Sequence, residues 1–139
     1  MRLLRRAWRD RRGVAAVEFA LVLPILAGIV VFLPDASDAA IGALNMDAGV
    51  RAGVQYAMNG GTDLNLAKTI ATQNWAYMPN GATLDVTQSC ICGGGGGVCG
   101  QPCGDGSNPQ VFVTVAGAAT VGGTVISIPL QKTQTVRIK

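Results

Sequence analysis

Hydrophobic and polar positions divide this chain into stretches of different period. From Val14 to Leu33 every position is apolar except Glu18, and a helix of about 20 residues rising about 1.5 Å each is long enough to cross a bilayer core. Pro34 follows. Its ring removes an N–H and crowds the preceding turn, so a kink or pause in the helix is expected there. Beyond it, from Ser37 or Asp38 to Met58, the residues Ala39, Ala43, Met46, Val50, Val54 and Ala57 recur at three- and four-residue steps, which marks one face of a second helical stretch. Mostly small side chains form this stripe, suited either to close packing against a neighbouring chain or to covering the protein's own sheet. Asn59-Gly60-Gly61 ends the stretch, because these residues tolerate the left-handed conformation.

Thr62 or Asp63 then caps a shorter helix running to about Ala76, with Leu66, Ile70 and Trp75 turned inward. After the turn signal Pro79-Asn80-Gly81 the period changes to two. Alternating segments start at Val86 and occupy Gln110 to Ala116, Thr124 to Ile128 and Thr133 to Ile138. They read as three or four antiparallel strands joined by glycine-rich turns, Gly122-Gly123 among them. The fold class expected is α+β: a long amino-terminal transmembrane helix kinked at Pro34, a second helix and a small antiparallel sheet.

Charge gives the apolar run a direction. Residues 1–13 carry six arginines and Asp10, a net +5, whereas the remainder carries five basic and seven acidic groups, a net −2. Arginine-rich flanks stay on the cytoplasmic side, so the amino end is expected in the cytoplasm and the part after Pro34 outside it. The sequence pI near 8.9 therefore reflects a topology signal and not a nucleic-acid surface, which needs basic residues clustered in the folded part. The mean hydropathy of +0.35 comes mainly from the anchor. An ordinary secretory signal has a shorter apolar stretch before a small-x-small site; Ala36-Ser37-Asp38-Ala39-Ala40 mimics such a site, but the run before it is long. The divisions expected are a basic leader over 1–13, a membrane helix over 14–34 and an exported domain over 35–139.

Cys90, Cys92, Cys99 and Cys103 surround five glycines, Gly93 to Gly97. An even number of cysteines in an exported segment reads as two disulfides stapling a Cys/Gly-rich loop over 90–103. Four thiolates also suffice for zinc, although C-x-C followed by C-x3-C is not the usual paired C-x2-C knuckle. Cys90 and Cys92 lie two apart, so bridging them to each other demands a strained ring. Pairing must cross the glycines: Cys90 with Cys103 and Cys92 with Cys99, or Cys90 with Cys99 and Cys92 with Cys103. The first, nested like a hairpin, is slightly preferred, with the glycine run as a flexible connector.

The chain has no histidine, which removes the usual general base and any Ser-His or Cys-His dyad. The exported carboxylates are scattered singly, and the glycine run lacks the lysine and Ser/Thr of a phosphate loop. An enzyme is not expected, nor is a cofactor or a metal. Glu18 is the residue needing a reason, since a carboxylate inside a membrane helix is costly. Snorkelling to the headgroups, about 7 Å away at Gly13, is one explanation.

Arg11-Arg12-Gly13 followed by Val14-Ala15-Ala16-Val17-Glu18-Phe19-Ala20-Leu21-Val22-Leu23-Pro24 resembles the prepilin signal of bacterial pili, and within that group the TadE-like minor pilins, or pseudopilins, of the tight-adherence (Tad/Flp) pilus. The likeness is strongest over roughly the first sixty residues, including Arg51-Ala52-Gly53-Val54-Gln55-Tyr56-Ala57. One departure is that those relatives commonly carry a second acidic-aromatic pair near the end of the apolar run, where this chain has Val31-Phe32-Leu33-Pro34-Asp35. The resemblance implies a pilin-like plan and a processing site at Gly13, Val14, Glu18 and Phe19, where a membrane-embedded prepilin peptidase cuts after Gly13. It also implies that Glu18 pairs with the new amino terminus of a neighbouring subunit. The partners implied are other pilin subunits, the peptidase, the assembly platform of the bacterial inner membrane and membrane lipid, with no nucleic acid. The function expected is assembly of an adhesive pilus, with the protein inserted once in the inner membrane, its distal domain periplasmic and later displayed on the cell surface. The rival expectation is a permanently anchored single-pass protein with a disulfide-bonded periplasmic binding domain.

Overall fold

The computed structural model describes residues 12–123 and 127–138. Helix α1 (Arg12–Met58) is followed by α2 (Leu64–Asn74) and by strands β1 (Thr83–Cys92), β2 (Gly95–Gly97), β3 (Gln110–Gly122) and β4 (Ser127–Arg137). The strands form one antiparallel sheet in the order β2-β1-β3-β4. The fold is α+β: a long apolar amino-terminal helix, a second helix and a small four-stranded sheet.

α1 is one continuous helix of 47 residues that contains Pro24 and Pro34, about 70 Å at the usual rise. The expected pause at Pro34 is not there. A proline deletes a single backbone hydrogen bond, and here it is flanked by cooperative helix on both sides, the distal part of which is held against the sheet. The stretch from Ser37 to Met58 is therefore the second half of α1, not a second element. α1 ends in a Schellman turn in which Gly61 N–H donates to the Tyr56 carbonyl at 3.0 Å and Gly60 N–H to the Ala57 carbonyl at 3.1 Å, with Gly60 at φ +89°. α2 starts at the Asp63 cap, whose carboxylate accepts from Asn65 N–H at 2.9 Å and Leu66 N–H at 3.1 Å.

The small-residue stripe covers the protein's own sheet. Met46, Val50, Val54 and Ala57 are buried together with Val113, Val115, Ala119 and Val121 of β3, Leu84 of β1, and Ala71 and Trp75. Close approach sets the composition: a Cβ added at Gly42 meets Val121 at 2.8 Å, and one at Gly49 meets the Ala71 carbonyl oxygen at 2.8 Å and Trp75 Cβ at 2.9 Å. Trp75 is inward as expected, its indole Nε1 buried without a hydrogen-bond partner among the described residues. Leu66 is a correction. It is exposed, and Ala67 and Ala71 make the inner face of α2 instead, because only alanine lets α2 come so close to α1.

β1 begins at Thr83, three residues before the expected Val86, and pairs with β3 from Thr83↔Ala118 to Ile91↔Gln110. The two segments expected over 124–128 and 133–138 belong, from Ser127 onward, to the single strand β4, paired with β3 from Gly122↔Ser127 to Phe112↔Arg137; Thr124 to Ile126 lie outside the described residues. Pro129 sits within β4 without disrupting the sheet because β4 is an edge strand.

Candidate functional site

Two ends of the molecule carry the candidate residues. At the first, Val14, Glu18 and Phe19 lie on α1 in the apolar run, where no residue from Val14 to Pro34 is buried; Phe19 is 61% and Leu21 71% exposed. No described residue forms an ion pair or hydrogen bond with Glu18. Gly13 belongs to the first turns of α1, and Arg2, Arg5, Arg6, Arg9 and Arg11 lie outside the described residues. This half of α1 is long and apolar enough to cross a membrane. Gly13, Val14, Glu18 and Phe19 are thus at the start of a continuous helix whose apolar half has no buried residue from Val14 to Pro34.

Where that surface ends, Asp35 is buried, and its carboxylate lies against Gly123 at the end of β3. Gly42 faces Val121, and Gly53 faces Val115, which a Cβ added at Gly53 would meet at 3.4 Å. β3 therefore runs antiparallel to the distal half of α1, with Gly122 next to the exposed apolar half and Gln110 at the far end, roughly 40 Å away at the usual rise per strand residue.

The second candidate site, the cysteine cluster, occupies that far end. Gly93 at φ +53° and Gly94 at φ +91° form a two-residue turn that side chains with a Cβ rarely adopt, and Cys92↔Gly95 and Cys90↔Gly97 pair across it. The glycine run is a hairpin and not a flexible connector, so the first half of the expected 90–103 loop is sheet. The disulfides join Cys90 to Cys99 and Cys92 to Cys103, with Cα separations of 5.3 and 5.6 Å. This corrects the preferred nested pairing. Cys99 comes two residues after Gly97, which stands opposite Cys90, so the returning chain delivers it to Cys90 first. Cys103 then turns back towards Cys92. All four cysteines are oxidised, leaving no thiolate to bind zinc.

The segment leaving the second disulfide is tightly turned. Cys103 N–H donates to the Ser107 carbonyl and Gly106 N–H to the Cys103 carbonyl, each at 2.8 Å. The Asp105 carboxylate accepts from Ser107 Oγ at 2.7 Å and Ser107 N–H at 2.9 Å; the hydroxyl chiefly, then the N–H, holds its pKa below the ordinary carboxylate value. Between this stapled loop and the ends of β3 and β4 lies an open groove of about 610 Å³, bordered by Gln101, Pro102, Asn108, Pro109, Gln110 and Arg137. Sequence reasoning missed these residues, and no local motif marks them, since Arg137 joins the rest only through the β3–β4 register.

On the flank of α1, well beyond the apolar run, Asp47 is held between Lys132 of β4 at 2.9 Å and Arg51 one turn on at 2.6 Å. The hydrogen bond from Lys132 is the main cause of a pKa below the ordinary carboxylate value, opposed by partial desolvation and aided by Arg51. No protein-family model, curated protein or solved structure matches this chain.

Proposed function

We propose that this chain is a minor pilin or pseudopilin of the Tad/Flp type, inserted once in the bacterial inner membrane and taking part in assembly of an adhesive pilus. The observation that carries the reading is the division of α1: one unbroken helix whose amino-terminal half is apolar and uncovered, with Glu18 among its exposed residues, and whose distal half is built into a folded head. The basic leader keeps the amino end cytoplasmic. Cleavage between Gly13 and Val14 removes it and creates an amine with a reference pKa of about 7.7–8.0, a cation beside which a neighbouring subunit's carboxylate is stabilised in a low-dielectric setting. Snorkelling explains Glu18 but leaves Gly13 and Phe19 without a role. The prepilin peptidase, other pilin subunits and the assembly platform are the partners on this reading, with lipid as the store before extraction.

Mass spectrometry of the protein from piliated cells tests it. The mature chain is expected to begin at Val14, Gly13→Val to accumulate uncut, and Glu18→Ala to be cut but assemble poorly. Recovery of wild-type protein with Arg11 and Arg12 still attached favours the second reading, a permanently anchored periplasmic binding protein, which the groove at the far end of the head supports.

A further inference from the structure

The head begins where the apolar run ends, with no spacer between them. Asp35 stands two residues past Leu33, about 3 Å further along α1 at the usual rise, yet its carboxylate already lies against Gly123 at the end of β3. Asp38 and Ile41 follow at about 8 and 12 Å, and with Tyr77, Pro79 and Thr120 they line an open cleft of about 290 Å³. The polar layer on each side of a bilayer core is about 5–7 Å deep. A bilayer that takes up Val14 to Leu33 therefore has its headgroups against this end of the head.

That end is largely apolar and carries a tyrosine turned away from its own chain. Tyr77 is 93% exposed and has a φ of +54°, a conformation that a tyrosine rarely adopts. Ile41 is 50% exposed, and Ile128, which pairs with Val121 across the sheet, 40%. The charged residues here, among those described, are Asp35, which is buried, and Asp38; Lys132, further along β4, is paired with Asp47 at 2.9 Å. Packing within the head explains neither the exposed ring nor the unusual backbone of Tyr77. A boundary between hydrocarbon and water suits such a ring, apolar along its body and polar at its tip.

We propose that this end of the head is seated in lipid headgroups, with Tyr77 the interfacial anchor that sets the depth and tilt of α1. Zwitterionic headgroups fit better than anionic ones, because the exposed charge here belongs to Asp38. A second copy of this chain would cover the same apolar surface, but lipid is already at this height. The inference rests on the membrane-anchored reading of α1 that the pilin proposal and its rival share, and adds to it a lipid-contact surface on the head.

The test places single added tryptophans in the full-length, oxidised chain with a Trp8→Phe background, the Trp75 signal being subtracted, in phosphatidylcholine vesicles. Quenchers are a nitroxide on the lipid headgroup and bromine on the acyl chain. Tyr77→Trp is expected to lose most of its emission to the headgroup nitroxide, Leu23→Trp to the acyl bromine, and Val98→Trp, at the far end of the head, to neither. Circular dichroism and non-reducing peptide mapping confirm that each variant is folded. Hydroxyl-radical labelling of the unsubstituted chain in the same vesicles needs no variant: Tyr77 is expected to label less than the half-buried Tyr56, the reverse of their exposure in the chain alone. Quenching of Leu23→Trp without quenching of Tyr77→Trp, or labelling of Tyr77 above Tyr56, overturns the proposal and leaves the anchor standing. An unquenched Leu23→Trp overturns the anchor and the proposal with it. Protection of Tyr77 that grows with the protein-to-lipid ratio, without nitroxide quenching, assigns the surface to a second copy and overturns the lipid contact.

Discussion

The two halves of α1 are built from similar residues and live in opposite surroundings. From Val14 to Leu33 valine, leucine, isoleucine and phenylalanine are exposed all round the helix, whereas Met46, Val50, Val54 and Ala57 are buried on one face, Val50 completely. The glycines make the contrast plain. A side chain at Gly28 meets nothing within 4 Å, while one at Gly49 runs into the Ala71 backbone and Trp75. Hydrophobicity alone therefore does not say which part of a helix forms a core. The proximal half is apolar on every side and awaits a solvent of its own kind; the distal half carries small residues in one stripe and is shaped to a particular surface.

The strongest way to break this comparison is to put bulk at the two glycines. Gly49→Leu is expected to destabilise the head by about 3 kcal/mol or more, at the upper end of overpacking effects because the obstacles are backbone and a packed indole. Gly28→Leu is expected to leave head stability unchanged. Chemical denaturation of the detergent-solubilised protein, followed by Trp75 fluorescence in a Trp8→Phe background, reads both. Equal loss in the two variants would mean that the halves are not energetically separate.

Truncation sharpens the same contrast at smaller scale. Met46→Ala should cost about 2–3 kcal/mol of head stability, since it opens a cavity among Val50, Gly117 and Trp75. Leu23→Ala should leave the denaturation midpoint where it is and instead reduce membrane partitioning by a few tenths of a kcal/mol. A shifted midpoint for Leu23→Ala would show that the exposed half packs on the head.

The smallest effect expected is electrostatic. Asp47 is held below the ordinary carboxylate pKa by Lys132 and Arg51, so its folded form binds a proton less readily than its unfolded form. The stabilisation is present above the unfolded value near 3.8 and is lost as pH falls through the lower folded value. Denaturation midpoints of wild type and Asp47→Asn should differ at pH 7 and converge at low pH. A difference that stays constant across that range would point to a hydrogen-bonding role in place of a charge.

Much of this organisation was legible in the sequence because it rests on short-range signals. An unbroken apolar run, a stripe at three- and four-residue steps, an Asp63 cap, Gly60 at a helix end and valines at period two each act within a few residues. The even cysteine count likewise foretold oxidation. Tertiary structure decided the rest. Pro34 looked like a boundary because a proline is locally costly, but packing of the distal half onto β3 holds the helix continuous. Leu66 looked like core because it is large; the narrow gap between α1 and α2 accepts only Ala67 and Ala71. The disulfide pairing depended on a turn at Gly93-Gly94 that sets Cys90 opposite Gly97, a register that cysteine spacing does not encode. Asp47 with Lys132, and the groove with Arg137, depend on strand partners tens of residues apart, and no window of sequence contains both. What the chain determined alone was local conformation and the apolar span. Which faces meet was settled only by the fold, because that depends on shape between distant segments.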